Sequence, residues 1–472
     1  MLEFLNKYII GAVIPAALVL AGIYYTIRLR AFNIRHPGLL LRGMLKGGSQ
    51  GGVSPAQALS LALAGTLGVG NIVGVASAIW LGGFGAVFWM WLSALAAMLL
   101  KYAETVIALG HRRTGQGGEY HGGAMYYIKD YFTARGRKFT GGVVAAIFSL
   151  LCIINSLTMG CVIQVNAVSS AFYGVCRLDN ALVGGVFAFL ATAVIVTGAK
   201  GIVKLTERLV PFMTLLYIVL SLAVMLLRPG EILPAFGKIF ESAITPRSAG
   251  GGLAGFMIAR SIRYGVMRGL MSNEAGCGTA PIAHAGSGAK YPAEQGFWGI
   301  FEVFVDTIVL CTMTALVIII AFPESSAFGA DPMMLTMKSY SSVLGGWSEY
   351  IMCAMVLFFA FATVICWAHY GLECVRYLNQ KKLWKYGFVA AYAAAMLYGS
   401  VSAPEVVWDA ADLALGAMTA INLAVICPMS GEVVRETENY IRTHLEKRGI
   451  MKKQSAPREL LTYNVVKKDK EN

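Results

Sequence analysis

The sequence predicts an all-α polytopic membrane protein, and three observations carry that prediction. Of its 472 residues, 57% are hydrophobic and only 14% charged, a balance far from that of a water-soluble domain. Apolar stretches long enough to cross a hydrocarbon core recur along the chain between short polar connections. The 39 Lys and Arg residues fall mostly on alternate connections, the asymmetry expected of a cytoplasmic face.

Apolar windows predict spans over residues 8–28, 54–80, 85–109, 141–173, 180–198, 209–228, 250–272, 297–322, 350–375, 384–401 and 405–427, roughly eleven in all. The first, preceded by Lys7, also fits a signal peptide, but its length and the basic stretch after it favour a span. With the N-terminus outside, the inner face collects Arg28, Arg30, Arg35, Arg42 and Lys46, then Arg112, Arg113, Lys129, Arg135, Arg137 and Lys138. Lys200, Lys204, Arg208, Lys290, Arg376, Lys381, Lys382 and Lys385 join them. The net charge of +13 then reads as a positive-inside signature in an inner cell membrane that attracts anionic lipid, with no need of a nucleic-acid partner.

Residues 1–431 read as one transmembrane domain and 432–472 as a basic cytoplasmic tail, an amphipathic helix followed by disordered sequence without chemistry of its own. Two outer segments, 228–248 and 323–349, read as loops partly covering a vestibule. The nine cysteines lack metal-type spacing and read as small buried hydrophobes.

Setting the first span aside, ten remain, and the first and sixth of these are interrupted by glycine-dense polar sequence: GTLGVGN at 65–71 and RGLMSNEAGCG at 268–278. Breaks at matching positions suggest a five-plus-five repeat and point to a transporter binding site, because unwound backbone in hydrocarbon must pair with a ligand or line a cavity. Glycine also serves close helix packing; the company of Thr66 and Asn71 among Gly65, Gly68, Gly70 and Gly74 favours a ligand-lining break.

A zwitterion at the midplane needs donors for its carboxylate and acceptors for its ammonium. A half-helix beginning near Ile72 presents free N–H groups, and one ending near Leu67 exposes carbonyls that suit an ammonium or sodium. Asn71 and Thr66 add side-chain contacts, and Gln164 is the preferred contact from a span that also carries Asn155 and Asn166. Thr363 and Trp367 share a helix face, pairing a hydroxyl with a large lid. Glu302 with Asp306, and Asp409 with Asp412, form one-face pairs that suit a proton or cation relay, although structural pairing is the favoured reading. Arg260, Arg263 and Arg268 read as structural residues near an inner helix end, and Lys101 with Glu104 as an intrahelical pair.

The segments GTLGVGNIVGVASAIWLGGFGAVFWMW (65–91), KYAE (101–104), SNEAGCGTAPIAHA (272–285) and FEVFVDTIVLCTMTAL (301–316) are similar in order and spacing to those of the alanine or glycine:cation symporter family. The resemblance covers nearly the whole membrane region. It implies a leucine-transporter-type fold, with an extra N-terminal helix before a ten-helix inverted repeat. It also implies symport of alanine or glycine by alternating access, driven by sodium and occasionally by protons, without a cofactor. Matched position by position, it implies backbone sodium ligands at Ala64 and Leu67 and a side-chain oxygen from Thr363. Thr66, Gly68, Gly70, Asn71, Gln164 and Trp367 would surround the substrate, and Asn273 matches the family motif.

Val69, Cys161, Cys277, Ala362, Ala368 and His369 depart from the family pattern. The loss of a hydroxyl at Ala362 keeps proton coupling, and the pocket changes keep an altered amino-acid substrate, as alternatives. An intramembrane enzyme is disfavoured because the six histidines show no metal-ligand spacing and no nucleophile elbow occurs. A channel or receptor would lack saturable, gradient-driven uptake.

Overall fold

The computed structural model describes residues 13–46, 48, 51–115, 117–244, 251–324, 331–402 and 405–446. The start of the expected first span and the tail from 447 onward lie outside the described residues. Helices fill nearly all of what is described. Besides helices at Phe32–Arg35, Pro37–Lys46 and Ala280–Ala285, they are α1 (Ile14–Arg28), α2 (Pro55–Thr66), α3 (Val73–Gly82), α4 (Ala86–Gly110), α5 (Ala124–Thr133), α6 (Lys138–Leu157), α7 (Ile163–Cys176), α8 (Asn180–Val196) and α9 (Ala199–Leu227). They continue with α10 (Ile232–Ile244), α11 (Gly251–Asn273), α12 (Pro292–Val303), α13 (Thr312–Ala321), α14 (Pro332–Leu344), α15 (Trp347–Leu378), α16 (Lys382–Val401), α17 (Glu405–Ile426) and α18 (Ser430–Glu446).

Six helical stretches among the described residues are long and apolar enough to cross a membrane, and α2 with α3 makes a seventh, bent by 62° at its break. Helices also cover the other expected spans at α1, α8, α11 and α16. The expected boundary at 209 moves to Ala199, because the amphipathic sequence holding Lys200, Lys204 and Glu207 continues the helix beyond its apolar part.

Local chemistry sets these boundaries. Ser54 opens α2 with a capping box: its hydroxyl accepts from Gln57 N at 3.2 Å, and its own N–H donates to Gln57 Oε1 at 2.8 Å. Pro55 follows at the first helical position, where no N–H is needed. Asp179 caps α8 by accepting from Ala181 N at 2.9 Å.

The two outer segments expected to be loops are instead built around helices α10 and α14. Phe236, Ile239, Phe240 and Ala243 recur at helical spacing along α10, and Phe240 packs against Phe88 and Trp91 of α4, with ring centroids 5.8 Å away in each case. Asp331 caps α14, whose Thr336 donates to the carbonyl of Ile72 at 3.2 Å. Both segments therefore cover the bundle as packed helices.

The first helix belongs to the bundle. Tyr25 donates to the carbonyl of Ile426 at 2.6 Å, and a Cβ on Gly22 would meet the carbonyl oxygen of Ala96 at 2.5 Å, so α1 lies close upon α4. The tail helix α18 is docked as well: Thr437 and Tyr102 hydroxyls are 2.8 Å apart, and Tyr440 stacks edge-on against Phe297 at 5.3 Å.

One end of the bundle gathers the basic connections. A two-stranded hairpin, Arg113–Thr114 with Tyr120–His121, bridges to α15 where His121 Nδ1 lies 3.1 Å from Glu373. His111, beyond the last residue of α4, sits 2.9 Å from Asp130 of α5 and 3.2 Å from Glu432 of α18, while Arg113 also reaches Asp130 at 2.6 Å. Burial opposes a charged imidazole, but hydrogen bonds to Asp130 and Glu432 outweigh it and push the His111 pKa up to about 9.

Two outcomes are expected. Gly22→Val overpacks the α1–α4 contact and destabilises the detergent-purified protein by about 1–3 kcal/mol; an unchanged melting temperature would show that α1 is not part of the bundle. Because the folded His111 value lies above the ordinary 6.5, its contribution is full below pH 6.5 and is lost as pH rises through about 9. Melting temperatures of wild type and His111→Gln should therefore converge over that window, and parallel pH profiles would refute the assignment.

Candidate functional site

The first break follows from where its backbone hydrogen bonds go. In a continuous helix the N–H groups of Gly68, Val69 and Asn71 would reach back four residues, to the carbonyls of Ala64, Gly65 and Leu67. Here Gly68 donates to Thr66 O at 2.9 Å and to Asn71 Oδ1 at 3.2 Å, Val69 to Gln164 Oε1 at 3.2 Å, and Asn71 to Gly68 O at 3.2 Å. Three carbonyls are thereby released from the helical ladder, among them those of Ala64 and Leu67. A Cβ on Gly68 would lie 2.7 Å from Thr363 Oγ1 and 3.2 Å from Gln164 Oε1, so only glycine allows this approach.

Asn71 is the hinge of the site. Its Nδ2 donates to Asp306 Oδ1 at 2.7 Å and to Ser272 Oγ at 3.1 Å, and its own carbonyl accepts from Thr314 at 2.9 Å. Thr363 Oγ1 lies 3.4 Å from the carbonyl oxygen of Leu67. Gln164 completes the ring around the break, its Nε2 donating to Met159 O at 3.3 Å. Thr66, Leu67, Gly68, Asn71, Gln164 and Thr363 are thus brought together, and Gly70 faces open space.

Two expected contacts stand further off. Trp367 is fully buried one turn beyond Thr363, seated over Gly160 and edge-on to Tyr370 at 5.5 Å, and its indole N–H has no hydrogen-bond acceptor among the described residues. Asn273 is occupied by its own neighbourhood: Nδ2 donates to Gly269 O at 2.8 Å and Thr307 Oγ1 at 3.2 Å, and Oδ1 accepts from Ala275 N at 3.1 Å.

Wide π-type turns place two of these groups. One, at Thr158–Val162, lies between α6 and α7 and contains the Gly160 that receives Trp367. The other, at Phe304–Cys311, lies between α12 and α13 and turns Asp306 toward Asn71, Ser272 and Thr307, the last two donating to Asp306 Oδ2 at 2.8 and 2.7 Å. Glu302, just before that turn, faces Lys101 at 3.0 Å and His284 at 2.8 Å. The two carboxylates therefore have separate partners, and the one-face pair expected from their spacing of four is split by the extra residue of the turn.

The second break falls where the sequence placed it. Helix α11 ends at Asn273, Glu274 adopts a left-handed φ of +51°, Gly276 and Gly278 follow at +84° and +80°, and a short helix resumes at Ala280–Ala285. Glu104 caps the interval: its carboxylate accepts from Gly276 N at 2.7 Å, Gly278 N at 3.0 Å and Asn422 Nδ2 at 2.5 Å. Lys101 donates to the carbonyl of Asn273 at 2.7 Å. The expected Lys101–Glu104 intrahelical pair is thus replaced by two separate long-range attachments. Sequence spacing cannot show this, because both partners come from distant helices.

Other polar residues serve packing. Asn166 donates to the carbonyls of Gly399 and Ser402 at 3.2 and 2.8 Å. Arg260, Arg263 and Arg268 lie at the end of the bundle opposite the basic one: Gly82 abuts the Arg260 carbonyl, and Arg268 lies over Trp408.

A cavity of about 490 Å³ opens at the basic end, lined by Gln57, Leu61, Lys204, Glu207, His369 and Glu373 among others. Leu61 precedes Leu67 by six residues, about 9 Å along a helix, so the cavity runs up beside α2 toward the break.

The chain is similar to the sodium/alanine symporter AgcS of Methanococcus maripaludis, 37% identical over 449 residues that cover 92% of this chain and 95% of that one. It is 34% identical to the uncharacterized transporter YflA of Bacillus subtilis, over 92% and 91% of the two chains. It is 31% identical to the probable sodium/glutamine symporter GlnT of the same organism, over 89% and 86%. Among solved structures, a manganese transporter from Eremococcus coleocola shares the fold with a TM-score of 0.52 at 14% identity, covering 80% of this chain and 77% of that one. The family model described as the sodium:alanine symporter family matches residues 1–455, and the chain, a multi-pass membrane transporter and not an enzyme, belongs to that family.

Proposed function

We propose that this protein carries small neutral amino acids, alanine or glycine, into the cell together with sodium, by alternating access around the first break. The observation that carries the proposal is the diversion of three backbone N–H groups away from the carbonyls of Ala64, Gly65 and Leu67. Carbonyls freed in this way inside hydrocarbon suit a cation and an ammonium. The Leu67 carbonyl and Thr363 hydroxyl oxygens are 3.4 Å apart, and ligands held about 2.4 Å from a hard cation are spaced at about that distance. Ala64, Leu67 and Thr363 would hold sodium. Thr66, Gly68, Gly70, Asn71 and Gln164 would hold the substrate, with the unpartnered indole N–H of Trp367 as a donor and Asn273 as support for the second break.

The same reading includes the five-plus-five inverted repeat of ten helices preceded by α1, eleven spans in all. It also includes a transmembrane domain over residues 1–431 with a basic tail over 432–472. The gathering of basic connections at one end supports an external N-terminus and a cytoplasmic tail beside anionic lipid. The cavity beside α2 would then be the exit path. Proton coupling, or another amino acid in the same pocket, is the second reading; it is favoured by Ala362, which is fully buried beside Thr363 and offers no side-chain oxygen.

Alanine uptake by the purified protein in liposomes tests the proposal. Accumulation driven by an inward sodium gradient supports it, uptake driven only by protons selects the second reading, and no uptake of alanine or glycine under either gradient rejects the substrate class. Asn71→Ala and Gln164→Ala should fold yet lose about 10-fold or more of uptake, each having lost a buried hydrogen-bonding group; near-normal uptake by both would refute the site. Thr363→Val should raise the sodium concentration for half-maximal uptake more than it alters the alanine-to-glycine preference, and an unchanged sodium dependence would remove Thr363 from the cation site.

A further inference from the structure

We infer that Lys101 is a resident cation, its ammonium holding at the second helix break the place that sodium is proposed to hold at the first, so that one mobile cation is coupled to each substrate. The word coupled rests on the symport reading above; the placement of the ammonium does not.

The two breaks release their terminal carbonyls in the same way. Asn71 N, which would reach Leu67 O in a helix, goes to Gly68 O, and Cys277 N, which would reach Asn273 O, goes to Glu274 O at 3.3 Å. Each freed carbonyl stands at a helix C-terminus, where the backbone carries about half a negative charge. The Leu67 carbonyl accepts from the neutral Thr363 hydroxyl at 3.4 Å. The Asn273 carbonyl accepts from the Lys101 ammonium at 2.7 Å.

The acidic groups divide in the same way. Asp306, beside the first break, accepts from Asn71, Ser272 and Thr307, all neutral donors. Glu302, beside the second, is ion-paired to Lys101 with both side chains fully buried. Its other oxygen meets His284 on the helix that resumes after the break. Lys101 thereby links the end of α11 to the short helix at Ala280–Ala285 through one carboxylate. A small metal ion at that position would make the same two bonds, one to the Asn273 carbonyl and one to Glu302.

Truncating Lys101 leaves Glu302 buried opposite a space that fits a small ammonium or alkali cation, a costly arrangement until a cation enters. Thermal unfolding of purified Lys101→Ala and Lys101→Met, in methylammonium, sodium or choline chloride at equal ionic strength, reads this without transport. Lys101→Ala should melt below wild type and regain most of that loss in methylammonium or sodium but not in choline. Lys101→Met, which fills the space without charge, should regain none. Equal responses to all three salts, or equal rescue of both variants, would overturn the inference.

In wild-type liposomes the ratio of sodium to alanine influx should be one. A ratio of two with Lys101 intact would overturn the inference, and would decide the matter should Lys101→Ala fail to fold. Alanine influx without sodium would instead defeat the symport reading and leave the melting experiment to judge the resident cation.

Discussion

Everything in this molecule turns on one constraint: a helix interrupted inside hydrocarbon must find partners for the backbone groups it frees. The two breaks meet that constraint by opposite means. At the second, donors and acceptors are both supplied by α4, Glu104 accepting the N–H groups of Gly276 and Gly278 and Lys101 donating to the carbonyl of Asn273. At the first, side chains satisfy the donors of Gly68 and Val69, while the released carbonyls of Ala64 and Leu67 are left to small or weak partners. The contrast between a closed break and a carbonyl-rich one is what separates scaffold from site.

The rest of the bundle holds that contrast in place. Asn71 is fixed by Asp306, Ser272 and Thr314, which come from two different helical regions. Asp306 reaches it because the helix widens over Phe304–Cys311. A second widened turn provides Gly160, over which Trp367 is seated. Helix α14 then lies across the second half of the broken span through Thr336 and Ile72, so the proposed substrate region is covered there by a packed helix and not by a loose connection.

Much of this was legible in the sequence. Hydrophobic windows located the helices, and the glycine runs at 65–71 and 268–278 located both breaks, because each signal is local. Thr66, Asn71, Gln164 and Thr363 were legible as polar residues in apolar surroundings, and Gly68 as part of the glycine run. Three things were not. The partners of Lys101 and Glu104 lie more than 170 positions away, so a spacing of three suggested a local pair. The π-type turn that separates Glu302 from Asp306 has no composition signal, and periodicity assumes a constant turn. Helices α10 and α14 have 13 residues each, too few to fill a window of about 20 residues, so they read as loops. Ser272, Thr307 and Thr314 escaped notice because a single hydroxyl on a membrane helix usually bonds to its own backbone.

The attachments of α4 bear on how the protein can move. Lys101 and Glu104 join α4 to both halves of the second broken helix, Gly22 seats α1 upon it, and Tyr102 and His111 fasten it to α18. Sliding α4 past the second broken helix would strip the hydrogen bond from Lys101 to the Asn273 carbonyl and uncap two glycine amides at once. Under the alternating-access proposal, α1, α4, α18 and the second broken helix would therefore move together as one frame, and the first break would be the part that rearranges against it.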